Sequence, residues 1–277
     1  MKKCASTSTK TSPKRELVLA TSSKKFIIGS ACIRHSATCR PPSLSSRSYS
    51  QLLLNYLSQF RGALQITSKV SQLEEILNDF LVGCNRELTQ YEVKQFLSFY
   101  GIVLKWNNHL HLTTLSTPIS FAQRHICESL FAERHFLPSV RKVWDIGSGL
   151  GVPGIPISII RPDLSVTLVE ANKRKGIFLK EVKTFLKLSQ ISIINSRFES
   201  ISGISPQSCV VIRALEQMNF LIPTLFKVGD KSDQFFFFGG AKTAVILHKY
   251  LPHQRKLNSF PIPFSNNRFL FSLERFT

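Results

Sequence analysis

The stretch VWDIGSGLGVPGIP, residues 143–156, decides how this chain is read. A short β-prone run at 143–146 ends in three alternating glycines, Gly147, Gly149 and Gly151. Asp145 stands beside them, and Pro153 and Pro156 follow soon after. The pattern predicts a strand, a tight turn and a helix, with bare main chain where a ligand can approach closely.

Downstream of this turn, short β-prone runs recur at 166–170, 191–195, 209–214 and 234–238, separated by helical stretches. The stretch NKRKGIFLKEVKTFLKL is one of these helices. Its spacing buries Phe178, Leu179, Val182, Phe185 and Leu186 and exposes Lys173, Arg174, Lys180, Lys183 and Lys187. Strands alternating with helices predict a mostly parallel α/β sheet with helices on both faces. In such a sheet the ligand lies beyond the carboxyl ends of the strands, at the switch point, where the glycine turn sits.

Upstream, 51–135 reads as helices. Val93, Phe96, Leu97, Tyr100, Val103 and Leu104 form one apolar stripe. Thr89 and Glu92 are spaced as a capping box. A further helix is expected after Pro118. Three regions result: a basic leader at 1–50, a helical region at 51–135 and the α/β domain at 136–277. The leader is rich in Ser, Thr, Lys and Arg and is expected to be disordered. Three readings of it stand: a tail that touches RNA, an organelle transit peptide, or translation from an upstream start.

The formal net charge is +19 over 277 residues, which favours a polyanionic partner, nucleic acid before membrane. Residues 1–50 hold ten Lys and Arg against Glu16, a net +9, so the remaining +10 belongs to the rest of the chain. The 6 cysteines show no metal spacing, and no metal site is expected. They suit a reduced, cytoplasmic setting, with an organelle as the alternative if the leader is a transit peptide. No apolar stretch reaches the roughly 18 residues of a membrane span. No heptad seam appears, and a monomer is expected. The 22 Phe are read as compositional drift.

The glycine turn literally satisfies G-x-G-x-x-G from Gly149 to Gly154, the pattern of NAD(P) enzymes. Yet Pro153 and Pro156 remove amide donors where a pyrophosphate needs them. S-adenosylmethionine, which has no phosphate, fits better. Asp145 is placed to meet its ammonium end, directly or through water. Glu170, 23 residues beyond Gly147, is placed to accept from both ribose hydroxyls. The fold class expected is a Rossmann-like class I S-adenosylmethionine-dependent methyltransferase preceded by N-terminal helices. An ordinary glycine turn with a structural acid is the alternative.

The run DIGSGLGVPGIPISIIRPDLSVTLVEANKRKGIFLKEV, with RHICESL before it and NSRFES and VIRAL after it, resembles the bacterial glucose-inhibited division protein B family. These are the small-subunit (16S) ribosomal RNA guanine-N7 methyltransferases, also called the methyltransferase G family. The likeness runs from about residue 90 to about 245. It implies cofactor contacts at Gly147, Val152, Glu170, Phe198 and Glu199, and an arginine at the pocket mouth, Arg213, near cofactor or target base. It also implies catalytic parts for Arg124 and His125. The partner implied is small-subunit rRNA or an assembling 30S particle. Four positions depart from the family pattern: Glu128 stands for an aspartate, His111 for an asparagine, Ile212 for a serine and Gly239 for a lysine.

Guanine N7 has a free lone pair and no proton to lose, so the implied reaction needs positioning rather than a general base. Alternatives at this point are a surface ion pair for Arg213 and a structural part for His125. The lysines of 173–187 read either as a phosphate-binding face or as a solvated helix surface. Two other functions stand beside the methyltransferase: a non-catalytic ribosome-assembly factor and an NAD(P)-dependent dehydrogenase.

Overall fold

The computed structural model of the chain describes residues 63–80, 87–213 and 219–276. The leader expected at 1–50 and the first part, 51–62, of the expected helical region lie outside them. Three helical stretches come first: α1 (Ala63–Phe80), α2 (Gln90–Leu110) and α3 (Pro118–Phe121). Thr89 and Glu92 close the expected capping box on α2. Thr117 caps α3, and Pro118 takes the first turn, where its missing N–H costs nothing. The helix then widens into a π-helical segment, Ala122–Cys127, before α4 (Glu128–Glu133). Spacing alone predicts one uninterrupted helix here, because a single wide turn barely changes the apolar pattern.

Five parallel strands follow: β1 (Lys142–Ile146), β2 (Ser165–Val169), β3 (Ile191–Ile194), β4 (Ser208–Ile212) and β5 (Gln234–Gly239). They alternate with α5 (Gly154–Ile160), α6 (Lys173–Leu186) and α7 (Ile222–Val228). All five coincide with the runs read from the sequence. After α8 (Ala241–Tyr250) a hairpin closes the sheet: β6 (Arg255–Pro261) and β7 (Phe269–Arg275). The order is β3-β2-β1-β4-β5-β7-β6, with β7 antiparallel to β5 and to β6. The switch point lies between β1 and β4, as the ligand argument requires.

Period-two alternation sorts the strand side chains onto two apolar faces. Cys209, Val211, Phe236 and Phe238 join one core, whereas Val210, Ile212, Phe235 and Phe237 join the other. The four phenylalanines of β5 are thus all buried, two on each face. What reads as drift in composition is the filling of a doubly covered central strand. The first face also receives Leu73 of α1, Phe96 of α2 and Phe121 of α3, so the N-terminal helices thicken that side. The expected α2 stripe is buried, and Phe99 and Ile102 beside it are buried as well. On α6, Lys183 and Phe185 are half-buried, and the other expected exposures and burials hold.

Phe178 of α6 is fully buried and meets Trp106 of α2 edge-on, with ring centroids 6.0 Å apart. Phe178→Ala should therefore cost about 3–5 kcal/mol, read as a shift of the urea midpoint at unchanged slope.

Candidate active site

The turn after β1 is built by backbone. Gly147, Gly149 and Gly151 all have positive φ, at 72°, 57° and 87°. The amides of Gly147 and Ser148 donate to Val169 O at 2.9 and 3.0 Å, fastening the turn to the end of β2. A Cβ at Gly151 would run into the Ile155 side chain and come within 3.0 Å of Leu179. At Gly149 a Cβ would meet nothing nearer than Gly147 O, at 3.8 Å, so the main chain there faces an open cleft.

Glu170 follows β2 and is 8% exposed. Its Oε2 accepts from Gly149 N and its Oε1 from Asn172 N, both at 2.7 Å. Asn172 in turn caps α6, its Oδ1 accepting from Arg174 N and Lys175 N. Asn195, just past β3, donates to Glu170 O at 2.6 Å. One residue thus joins the carboxyl ends of β1, β2 and β3. Asn172 and Asn195 are bracing positions the sequence reading passed over; the signal was an amide residue at or just beyond the end of each β-prone run.

Asp145 sits lower than expected. It is 2% exposed, and its Oδ2 accepts from Gly154 N at 3.0 Å, beneath the turn rather than on the cleft wall. Burial pushes its carboxyl up to about 7, against the opposing pull of the Gly154 amide and Arg213. Val152 is buried within the turn. Phe198 packs into the second core with Ile146, Val169 and Ile212, so its ring is structural. Glu199 is half-buried, 4.0 Å from Arg197.

Arg213 follows β4 directly, and its neighbour Ile212 pairs with Ile146 beside the glycine turn. Its Nη2 donates to Glu128 Oε2 and to Arg124 O, both at 2.9 Å, and its Nη1 lies 3.3 Å from His125 Nδ1. The guanidinium carbon stands 5.6 Å from the Phe238 ring centroid. In place of the surface ion pair considered for Arg213 stands a half-buried network around the buried Glu128. Arginine only donates, so His125 Nδ1 accepts, and Nε2 carries the proton toward Thr113 Oγ1 at 3.1 Å. Burial, with Arg213 and Arg124 beside it, holds His125 well below its usual value. His125, expected to take a catalytic part, is thus held neutral against the Arg213 guanidinium.

Glu128 is the centre of this network, at 1% exposure. Besides Arg213 it holds Arg268, whose Nε and Nη2 donate to Oε1 and Oε2 at 3.0 and 3.2 Å. Arg124 Nε lies 3.1 Å from Oε1 but is not aimed at it and has no hydrogen-bond partner. The π-helical segment presents Arg124 and His125 at this point, a common use of such a wide turn. Arg268 was missed because it lies in the turn of the hairpin, which carries no spacing cue.

With this geometry in view, comparisons with known proteins add a family. A family model described as rRNA small subunit methyltransferase G matches residues 92–254. The protein named ribosomal RNA small subunit methyltransferase G of Pseudomonas putida strain F1 is 33% identical over 159 residues, covering 57% of this chain and 73% of that one. Its namesake from Xylella fastidiosa strain 9a5c is 35% identical over 136 residues, covering 49% and 63%. Among solved structures, the glycopeptide N-methyltransferase MtfA with S-adenosylmethionine is similar at a TM-score of 0.46 and 8% identity, over 55% of this chain and 88% of that one.

The buried carboxyl of Asp145 gives a pH signature. The unfolded chain releases this proton near 3.8, whereas the folded chain keeps it to about 7. The folded state binds more protons in that window, so this group's contribution falls as pH rises from about 4 to about 7. His125 acts with the opposite sign below its usual value. The stability difference between the wild type and Asp145→Asn, from urea titrations across that window, should therefore shrink toward neutral pH and then level off.

Proposed function

Because the chain belongs to the rRNA small subunit methyltransferase G family, we propose that it transfers a methyl group from S-adenosylmethionine to N7 of a guanine in small-subunit rRNA. The observation that carries this reading is the Gly149–Glu170 contact at the mouth of the switch-point cleft. The residues present fit the cofactor. A carboxylate has about four acceptor sites, and Glu170 uses two on amides, so acceptors remain for ribose hydroxyls. The open main chain at Gly149 is a cradle that a Cβ would fill. A dinucleotide phosphate fits less well, since Pro153 offers no amide at the start of α5. When bound, S-adenosylmethionine supplies an electrophilic methyl on a sulfonium.

The remaining work falls to this chain's residues. Gly147, Gly149 and Gly151 lay down a cleft floor without side chains, with Val152 packed beneath. Glu170 holds the sugar. Phe198 and Glu199 form the wall beyond β3. Asp145 fixes the turn from below through Gly154 and responds to the positive end of the cofactor through the turn. Guanine N7 needs no proton removed, which agrees with a His125 held neutral and turned to Arg213. Arg213 and Arg124 face the incoming RNA beside the cofactor. The basic face of α6, Lys173, Arg174, Lys180 and Lys187, favours approach of the phosphate backbone. Among the described residues no helix is long and apolar enough to cross a membrane. With this reading goes a monomer that acts on rRNA or on the assembling 30S particle, in the cytoplasm or, if residues 1–50 are a transit peptide, in an organelle.

Labelled methyl from S-adenosylmethionine should enter 30S-derived rRNA at one guanine, mapped by strand scission after borohydride and aniline. Gly147→Arg, which fills the cleft, should abolish incorporation; label that persists in this variant refutes the site. Glu170→Ala should weaken S-adenosylhomocysteine binding by about tenfold or more, measured by calorimetry, with melting followed in parallel.

A further inference from the structure

Three guanidiniums share the one buried carboxylate of Glu128: Arg124, Arg213 and Arg268. Three positive charges against one negative leave the cluster at a net of +2. Arginine cannot shed its charge to relieve this. Burial lowers the proton affinity of both Arg124 and Arg213, and the charge of Arg268 lowers it further. Asp145, which also acts on Arg213, is itself pushed up to about 7 by burial.

The two oxygens of Glu128 accept from three nitrogens, at 2.9 to 3.2 Å, and Arg124 Nε lies 3.1 Å away without a hydrogen bond. Donors remain on the arginines. Arg124 Nε is buried with no hydrogen-bond partner. Among the described residues, the terminal nitrogens of Arg124 and Nη1 of Arg268 also lack an acceptor. Both side chains keep access to solvent, at 30% and 22% exposure. A cluster of excess positive charge with spare, accessible donors is built for an anion.

The location says which anion. Arg213 follows β4, and Arg268 precedes Phe269, which pairs with Gly239 at the carboxyl end of β5. Both arginines therefore lie on the edge of the sheet that carries the glycine turn. Arg268 comes from the closing hairpin, outside the stretch matched by the family model. Resting on the rRNA reading above, we propose that Arg268 and Arg124, braced on Glu128, grip a backbone phosphodiester of the RNA beside the target guanine. Planar guanidiniums suit the two free oxygens of a phosphodiester.

The test compares wild type, Arg268→Ala and Arg268→Lys in binding a 16S rRNA transcript, without cofactor, between 50 and 200 mM salt. Arg268→Ala should weaken binding by about tenfold and flatten the salt slope by about 0.7–0.9. Arg268→Lys keeps a point charge and should restore the slope while recovering only part of the affinity. Should the alanine variant fail to fold by circular dichroism, the lysine variant carries the test through its partial loss at unchanged slope. S-adenosylhomocysteine affinity should stay within about twofold of wild type in both. RNA affinity and slope unchanged in the variants would overturn the proposal. So would weakened S-adenosylhomocysteine binding with RNA binding intact, which would assign the anion to the cofactor's carboxylate. A wild type that binds RNA with the expected slopes but transfers no methyl would undo the functional reading and leave this site standing.

Discussion

The carboxylate of Glu170 is the contact on which the cleft depends. It accepts from an amide of the glycine turn and from an amide at the start of α6, while its own carbonyl accepts from Asn195. Three loops that follow three different strands are therefore held in one register. The glycines give the turn freedom to take positive φ, and the carboxylate removes that freedom again. A floor made of main chain needs such a brace, because glycines at 147, 149 and 151 have no side chains of their own to anchor it.

A second brace works beside it. Glu128 gathers guanidiniums from the π-helical segment, from the end of β4 and from the closing hairpin. The chain that leads from Thr113 through His125 to Arg213 adds a neutral hydrogen-bond path to the charged one. The first brace holds the glycine turn, and the second gathers three guanidiniums at the carboxyl end of the sheet. Both are carboxylates under 9% exposed.

Much of this was legible in the sequence. The five parallel strands announce themselves because each is a short apolar run, and four of them lead into a polar or glycine residue at the cleft: Asp145 and Gly147, Glu170, Asn195, Arg213. The α2 stripe and its capping box were equally plain. Three things were not. The π-helical segment alters the rotation of the helix by less than the apolar pattern can register. The depth of Asp145 depends on Gly154 approaching from above, a contact across nine positions that periodicity does not encode. The partnership of Glu128 with Arg268 spans 140 positions, and the hairpin that carries Arg268 is broken up by Pro261, Pro263 and two asparagines, so it reads as loop.

The strand order also bears on how the protein behaves in a crowded solution. A run of four phenylalanines with high β-propensity is a hazard wherever its backbone is left unpaired. Here β5 is flanked on both sides, by β4 and by β7. The outer positions go to β3, only four residues long, and to β6, which shows an exposed Lys256 and ends at Pro261. Short, charged and proline-ended borders resist the addition of a strand from another molecule. Placing the hairpin outside β5 thus shields the stickiest segment of the chain from self-association.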